Sequence, residues 1–254
     1  MTIEVLLEIT IYLFTFLFGI VIGSFLNVCI LRIPEGKDIV TDRSHCMNCG
    51  YQLEWYDLVP LFSYLFLGGK CRKCKAHISV QYPIVEAANG ILWVLILAVN
   101  GIHIDSALYC FMTSALLALS VIDFRTQEIP FGMNVFILAL GLIHLAFHLD
   151  DWVSYAIGLL AVSTLLWLIV VFSGGRAMGG GDVKLMAAAG LMLGWQKILL
   201  ALIIGCILGS VIHTIRMKES GQDHVLALGP YLSAGILIAA LWGDKFITWY
   251  WKIL

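Results

Sequence analysis

Met178-Gly179-Gly180-Gly181-Asp182-Val183-Lys184-Leu185 sets a carboxylate at the mouth of an apolar run. An acid beside hydrocarbon is expensive and by default marks a functional site. The glycines before it remove Cβ atoms, so the backbone can bend and another segment can lie close. A second acid shares this setting: Asp123, at the end of the apolar run 106–122. Two carboxyls at the ends of apolar segments suggest a pair that activates water. The plainer reading of Asp182 is a helix cap. Gly-x-Gly-Asp, residues 179–182, does not decide between them alone.

Composition narrows the choice. The chain has 254 residues, 61% hydrophobic and 13% charged, with a mean hydropathy of +0.94. Soluble domains carry about 25% charged residues. The chain reads as an all-α polytopic membrane protein, with the lipid bilayer as its solvent. A net charge of −2 gives no reason to expect nucleic acid. Roughly 20 apolar residues cross a bilayer. The runs 9–31, 83–99, 106–122, 131–148, 152–172, 183–195, 198–215 and 225–241 make a set of about eight transmembrane helices. Glu4 and Glu8 precede the first run and Arg32 follows it. That pattern predicts an uncleaved span with its N-terminus outside, not a signal peptide.

This orientation puts eleven Lys and Arg residues, Arg216 among them, on the inner side and Lys184 at the inner edge. Only Lys197, Lys245 and Lys252 fall outside, as the positive-inside rule requires. Trp242, Trp249, Tyr250 and Trp251 suit an outer aromatic belt. Asp123 and Asp182 then both lie at cytoplasmic ends of spans. The run 183–195 has 13 residues, roughly 20 Å of helix against a hydrocarbon core of roughly 30 Å. Segment 173–181 is therefore expected to dip below the cytoplasmic surface and carry Asp182 to membrane level. The alternative is one tilted or broken helix over 183–215. Gly19/Gly23 and Gly205/Gly209 have the spacing of close helix contacts.

The one long polar stretch, 32–80, holds Cys46-Met47-Asn48-Cys49 and Cys71-Arg72-Lys73-Cys74, with 21 residues between the pairs. Two such pairs form a tetrahedral thiolate site for Zn²⁺. In the reducing cytoplasm disulfides do not persist. Gly50 and Gly69 suit tight knuckle turns. A site closed by four cysteines, Cys46, Cys49, Cys71 and Cys74, is structural, and about 45 residues need metal to stay folded. The expected organisation is a first transmembrane helix (1–31), a cytoplasmic four-cysteine zinc module (32–80), and the remaining transmembrane helices with the aspartate pair (81–254). Cys29, Cys110 and Cys206 lie in apolar runs and read as packing residues.

These motifs, in order, resemble the bacterial prepilin peptidases of the type IV leader peptidase family, Gly-x-Gly-Asp intramembrane aspartic peptidases. Gly23-Ser24-Phe25-Leu26-Asn27-Val28 with Arg32-Ile33-Pro34 resembles the family's first-helix signature. Pro60-Leu61-Phe62-Ser63-Tyr64-Leu65 and Gly69-Lys70, set around the cysteine pairs, resemble its zinc module. Tyr82-Pro83-Ile84-Val85-Glu86, Ile122-Asp123 with Ile129-Pro130, Gly179 to Lys184, and Gly229-Pro230 complete the pattern. The chain departs from it at Met47, where proline is common, at Gln81, where arginine is usual, and at Phe131, where a polar residue is common. No departure touches an aspartate or a cysteine.

The resemblance implies two reactions. One cuts the short basic leader from type IV prepilin or pseudopilin precursors at the cytoplasmic face of the bacterial inner membrane, typically after glycine. The other N-methylates the new N-terminal residue, usually Phe, with S-adenosylmethionine. Asp123 and Asp182 would be catalytic, with Gly179 and Gly181 as the backbone motif beside them. No glycine-rich nucleotide fingerprint supports the second reaction from the residues alone.

Glu86 could cap its span or contact substrate. Lys184 could be a snorkelling anchor or tune the charge of the aspartate pair. Asn27 is expected to bond another helix. His144 and His213 read as interface residues and not metal ligands. Helix dipoles predict an ionised Asp182, at a helix start, orienting water, with the proton on Asp123, at a helix end. Two other classes stay open. A transporter would use the acids as cation ligands but calls for repeats and a midplane site. A thiol oxidoreductase would need accessible redox-active cysteines.

Overall fold

A backbone inside a bilayer must satisfy its own N–H and C=O groups, so apolar runs of this length fold as helices. The computed structural model describes residues 3–176, 178–220 and 227–253. Val225, the expected start of the last run, Ala177 within the expected dip, and the side chain of Arg216 lie outside the described residues. Among the described residues there are nine α-helices and no strand: α1 (Ile3–Arg32), α2 (Phe62–Phe66), α3 (Gln81–Asn100), α4 (Ile104–Thr126), α5 (Phe131–Phe147), α6 (Trp152–Ser173), α7 (Gly180–Leu193), α8 (Trp195–Ser220) and α9 (Gly229–Ile253). The architecture is that of an all-α, multi-pass membrane protein.

The eight expected segments correspond to α1 and α3 to α9. Six of these, α1, α3, α4, α6, α8 and α9, are long and apolar enough to cross a membrane. The other two are shorter: α5 has 17 residues and α7 has 14. The expected set of eight thus becomes six full-length candidates and two short helices. Segment 183–215 is not one continuous helix. Gly194, at φ 79°, ends α7, and Trp195 begins α8. That left-handed backbone is glycine's territory.

The chain divides into two compact units, Met1–Ile102 and His103–Leu254. In the first, α1 packs on α3. A Cβ on Gly19 would lie 2.7 Å from Gly90 Cα, and one on Gly23 would lie 2.7 Å from Glu86 Cα. The two backbones touch there, as the small-residue spacing predicts. Asn27 Nδ2 donates to the Tyr82 carbonyl at 3.1 Å, and Gln81 Nε2 donates to Asn27 Oδ1 at 3.3 Å. The polar residue of α1 therefore bonds its partner helix, and Gln81 is part of that joint. The opposite face of α1, with Phe14, Phe18 and Val21, is exposed and suits lipid.

In the second unit α4 lies at the centre. Its Ala118, Leu119 and Met112 have no exposed surface. It packs on α5 and α9, while α7 packs on α5 and α6, and α8 on α9. Gly205 approaches α9, where a Cβ would lie 3.1 Å from Leu232 Cα; Gly209 is looser. A tighter crossing lies between α6 and α7, where a Cβ on Gly158 or Gly190 would overlap the other's carbonyl oxygen. This packing draws the C-terminal end of α4 and the N-terminal ends of α7 and α9 into one unit.

Candidate active site and metal module

Asp123 lies in the last turn of α4, which Gln127 ends in a left-handed conformation with its N–H on the Asp123 carbonyl at 2.8 Å. The Asp123 side chain is buried, and its Oδ2 accepts the Gly229 N–H at 3.0 Å. That N–H belongs to the first residue of α9, so the free donors and dipole of a helix start face this carboxyl. A Cβ at residue 229 would lie 2.7 Å from Asp123 Oδ2. Glycine here is what allows the backbone to reach the acid.

Asp182 lies in the first turn of α7 and is also buried. Gly179 holds the N-cap position, with extended backbone and no side-chain cap. Asp182 is thus inside the helix and is not its cap. Its Oδ1 is buried with no hydrogen-bond partner. The two carboxyls lie within electrostatic reach of each other. The two acids differ in geometry: a backbone donor from α9 sits on Asp123, and the buried Oδ1 of Asp182 has none.

The glycines beside Asp182 differ in purpose. A Cβ on Gly181 would lie 2.8 Å from Ile129 Cβ, so the 127–130 turn needs glycine there. Gly179 and Gly180 have no such neighbour. Asn134, buried on α5, donates to the Gly181 carbonyl at 3.4 Å and ties the start of α7 to α5. Neither Asn134 nor the Gly229 N–H is visible as a site feature in the sequence. The Gly229-Pro230 pair is the one signal that could have pointed to the latter. Lys184 is exposed, with Nζ 5.2 Å from the Phe131 ring centroid, so the departure at Phe131 gives this lysine an aromatic platform.

The first unit holds the cysteine cluster. Cys46 Sγ and Cys74 Sγ are 3.8 Å apart, and the four ligand sulfurs lie within 4.8 Å of one another. Sulfurs about 2.3 Å from a tetrahedral Zn²⁺ stand about 3.8 Å apart. The donor set and its spacing fit zinc. The two pairs form matching knuckles. The N–H groups of Gly50 and Lys75 donate to the Cys46 and Cys71 carbonyls at 2.9 and 3.0 Å. Those of Cys46 and Cys71 donate to the Tyr51 and Ala76 carbonyls, both at 2.8 Å. The Ala76 N–H, then the Asn48 side chain, hold the Cys74 thiol down at about 6. Cys74 is thereby favoured as thiolate, the form that binds metal, whereas Cys49 is pushed up to about 11. Gly69 takes a positive φ of 68° before the second knuckle.

Glu86 is buried in α3 and accepts the Leu61 N–H at 2.8 Å. Leu61 has φ 60°, so this bond steadies a strained turn at the base of the cysteine segment. It makes Glu86 an anchor for that turn, beyond the first helical turn where a cap would sit.

Comparison with known proteins agrees with this arrangement. The N-terminal domain of bacterial A24 peptidases matches residues 17–99, and the type IV leader peptidase family matches residues 110–214. A prepilin leader peptidase/N-methyltransferase of Pseudomonas aeruginosa is 35% identical over 93% of this chain and 92% of its own length. Proteins of the same name from Pseudomonas putida and Aeromonas hydrophila are 33% and 32% identical, over 89% and 92% of this chain and the same shares of their own. No solved structure matches. On this identity, over nearly its whole length, the chain belongs to the type IV leader peptidase family.

Proposed function

We propose that this protein is a prepilin leader peptidase, an intramembrane aspartic endopeptidase in which Asp123 and Asp182 cut the leader from type IV pilin-like precursors at the cytoplasmic face of the bacterial inner membrane. The observation that carries it is the pair of buried carboxyls from α4 and α7, one held by a backbone donor and the other with a free oxygen. Peptide hydrolysis needs a base to take a proton from the attacking water and an acid to protonate the leaving amine. Two carboxyls sharing one proton supply both. Asp123, whose Oδ2 accepts the Gly229 N–H, takes the water's proton. Asp182 gives its own to the scissile amide nitrogen, and as the amine leaves the proton on Asp123 passes to Asp182, which restores the starting state. Gly181 positions Asp182 by letting the 127–130 turn approach, and Gly179 caps its helix.

The same reading gives segment 32–80 a structural Zn²⁺ held by Cys46, Cys49, Cys71 and Cys74, with Glu86 steadying its base, and assigns the aspartate pair to 81–254. Lys184 acts as an anchor on Phe131 and not as a tuner of the pair. N-methylation of the new N-terminus with S-adenosylmethionine is the second activity. It rests on the names of the relatives, and its cofactor site belongs to the cysteine module and adjoining loops. The bilayer and pilin-like precursors are the partners.

The test is cleavage of a pilin-like precursor by purified protein in detergent. Asp123→Asn and Asp182→Asn should each lose several orders of magnitude, nearly as much as the double variant, because the two act as one unit. Asp123→Asn should still methylate a pre-cleaved substrate. Full cleavage by either single variant would end the reading.

A further inference from the structure

At the opposite end of α4 from Asp123, three side chains converge that the peptidase chemistry does not use. They are Asp105 in the first turn of α4 and His144 and His148 at the end of α5. Asp105 and Asp123 are eighteen positions apart, about 27 Å of helix. His144 Nε2 lies 3.4 Å from Asp105 Oδ1, and His148 Nε2 lies 3.4 Å from Asp105 Oδ2. One ligand atom from each of the three residues falls within 4.8 Å of the others. His144 is buried, and Asp105 and His148 are partly buried. The sequence alone reads His144 as an interface residue; the fold places it in a cluster of ligand types.

The contacts are not ordinary hydrogen bonds. At 3.4 Å they exceed the usual N–H···O range, and Asp105 Oδ1 is buried with no hydrogen-bond partner. The His148 Nδ1 lies 3.1 Å from the His144 carbonyl. A carbonyl can only accept, so Nδ1 carries the hydrogen and Nε2 turns a lone pair to the carboxylate. Nothing fixes the tautomer of His144, whose Nδ1 is buried without a partner, so its Nε2 is equally free to present a lone pair. Lone pairs facing an anion need a positive centre between them.

Protons could supply that centre only by making His148 an imidazolium and by turning the one hydrogen of a neutral His144 to Asp105, which leaves the lone pair of its buried Nδ1 without a partner. The rings of His144 and His148 are stacked 4.4 Å apart at 17°, so a second proton on His144 would set like charges face to face. Lys197, whose charge reaches this cluster, is engaged by Asp244 at 2.8 Å. One divalent cation would satisfy both nitrogens and the carboxylate at once. Ligands about 2.0–2.1 Å from a tetrahedral Zn²⁺ stand about 3.3–3.4 Å apart, and each imidazole nitrogen lies at that distance from one carboxylate oxygen. The His148 N–H to carbonyl bond is the kind of outer contact that orients a metal-binding imidazole. Tyr109 and Tyr155 hold the His144 ring by aromatic packing at 6.2 and 5.1 Å.

We propose that Asp105, His144 and His148 form a second metal site, selective for Zn²⁺ or a similar borderline divalent ion, that clamps the start of α4 to the end of α5. Two imidazoles and one carboxylate suit such an ion better than Mg²⁺ or Ca²⁺. The site is separate from the four cysteines, which lie in the other compact unit.

The experiment uses tag-free, full-length protein in detergent with its cysteine site loaded. Zn²⁺ titrated by calorimetry should show one further binding event in the wild type. Asp105→Asn and His148→Ala should each weaken that event at least tenfold. Neither change should expose the four module thiols to a thiol reagent. Co²⁺ in place of Zn²⁺ should add weak visible bands to the protein without adding sulfur charge-transfer intensity. A wild type that takes up no Zn²⁺ beyond its cysteines overturns the proposal, whatever the variants do. So does an unchanged event in both variants.

Discussion

A methyl group on residue 229 would lie 2.7 Å from Oδ2 of Asp123, and no partner nearby is flexible enough to absorb it except the carboxyl itself. Gly229→Ala should therefore turn Asp123 away from the α9 donor while leaving the helix intact. A displacement of about 1 Å at a reacting group can cost about 10²-fold in rate, so precursor cleavage should fall by about that factor with little change in thermal unfolding. Unaltered cleavage would remove Gly229 from the site. The shared proton gives a second expectation at this scale. Activity should follow a bell in pH, falling on the acid side as the anionic carboxyl takes up a proton and on the alkaline side as the other loses it. The two limbs belong to the pair and not to either residue. A flat profile, with cleavage chemistry shown to limit the rate, would count against it. The aspartates and cysteines were legible in the chain because their residue types carry the chemistry. The Gly229 donor was not. It is a backbone N–H 106 residues from Asp123, and a backbone donor has no residue signature. The same holds for the placing of the shared proton, which a backbone donor on one acid and not the other bears on.

The two cysteine knuckles share one hydrogen-bond pattern but not one sequence. Gly50 follows the first pair with φ 67°, while Lys75 follows the second with φ 60°. A left-handed conformation costs a non-glycine residue about 1 kcal/mol or more. Lys75→Gly should recover part of this and slow the loss of zinc to a chelator severalfold; Gly50→Ala should do the opposite. Equal chelator resistance in all three proteins would show that the turns are not strained. Acid should release the metal as well. Cys74 is held at about 6 against an ordinary 9.0, a depressed value. Its contribution as thiolate is therefore complete above about 9 and lost as pH falls through about 6. Zinc retained after brief chelation, followed from pH 9 to 5, should decline across that window, and retention undiminished at pH 5 would oppose it. Helix existence was readable from apolar runs, but helix ends were not. The run 183–195 took in Trp195, which begins α8, because hydropathy does not register the turn at Gly194. The true start of α7, at Gly180, lies among glycines that disfavour helix and fold there because of packing on Ile129 and Asn134.

Across the whole molecule, membrane class and the rough helix order follow from hydropathy, while helix partners do not. The Gly158 contact joins α6 to Gly190 and Gly194 at the end of α7; α6 supplies a single glycine to it, so nothing in α6 names the partner. In the Asp105, His144 and His148 cluster only the two histidines, four residues apart, are linked by spacing; Asp105 comes from another helix. Orientation, in contrast, is carried by charge in the loops and can be tested directly. Eleven Lys and Arg residues on one side against three on the other should keep 32–80 in the cytoplasm and the α5–α6 turn outside. Val40 is 82% exposed in the cysteine segment, and Asp150 is exposed between α5 and α6. Cysteine placed at either position, with Cys29, Cys110 and Cys206 replaced, offers a probe for a membrane-impermeant maleimide. Zinc should shield the four module cysteines. In intact spheroplasts Asp150→Cys should react and Val40→Cys should not; after lysis both should react. The reverse pattern would place the ends of α4 and α7 that bear Asp123 and Asp182 on the outer side. Leader cleavage at the cytoplasmic face would then be ruled out, because a basic leader held inside could not reach them.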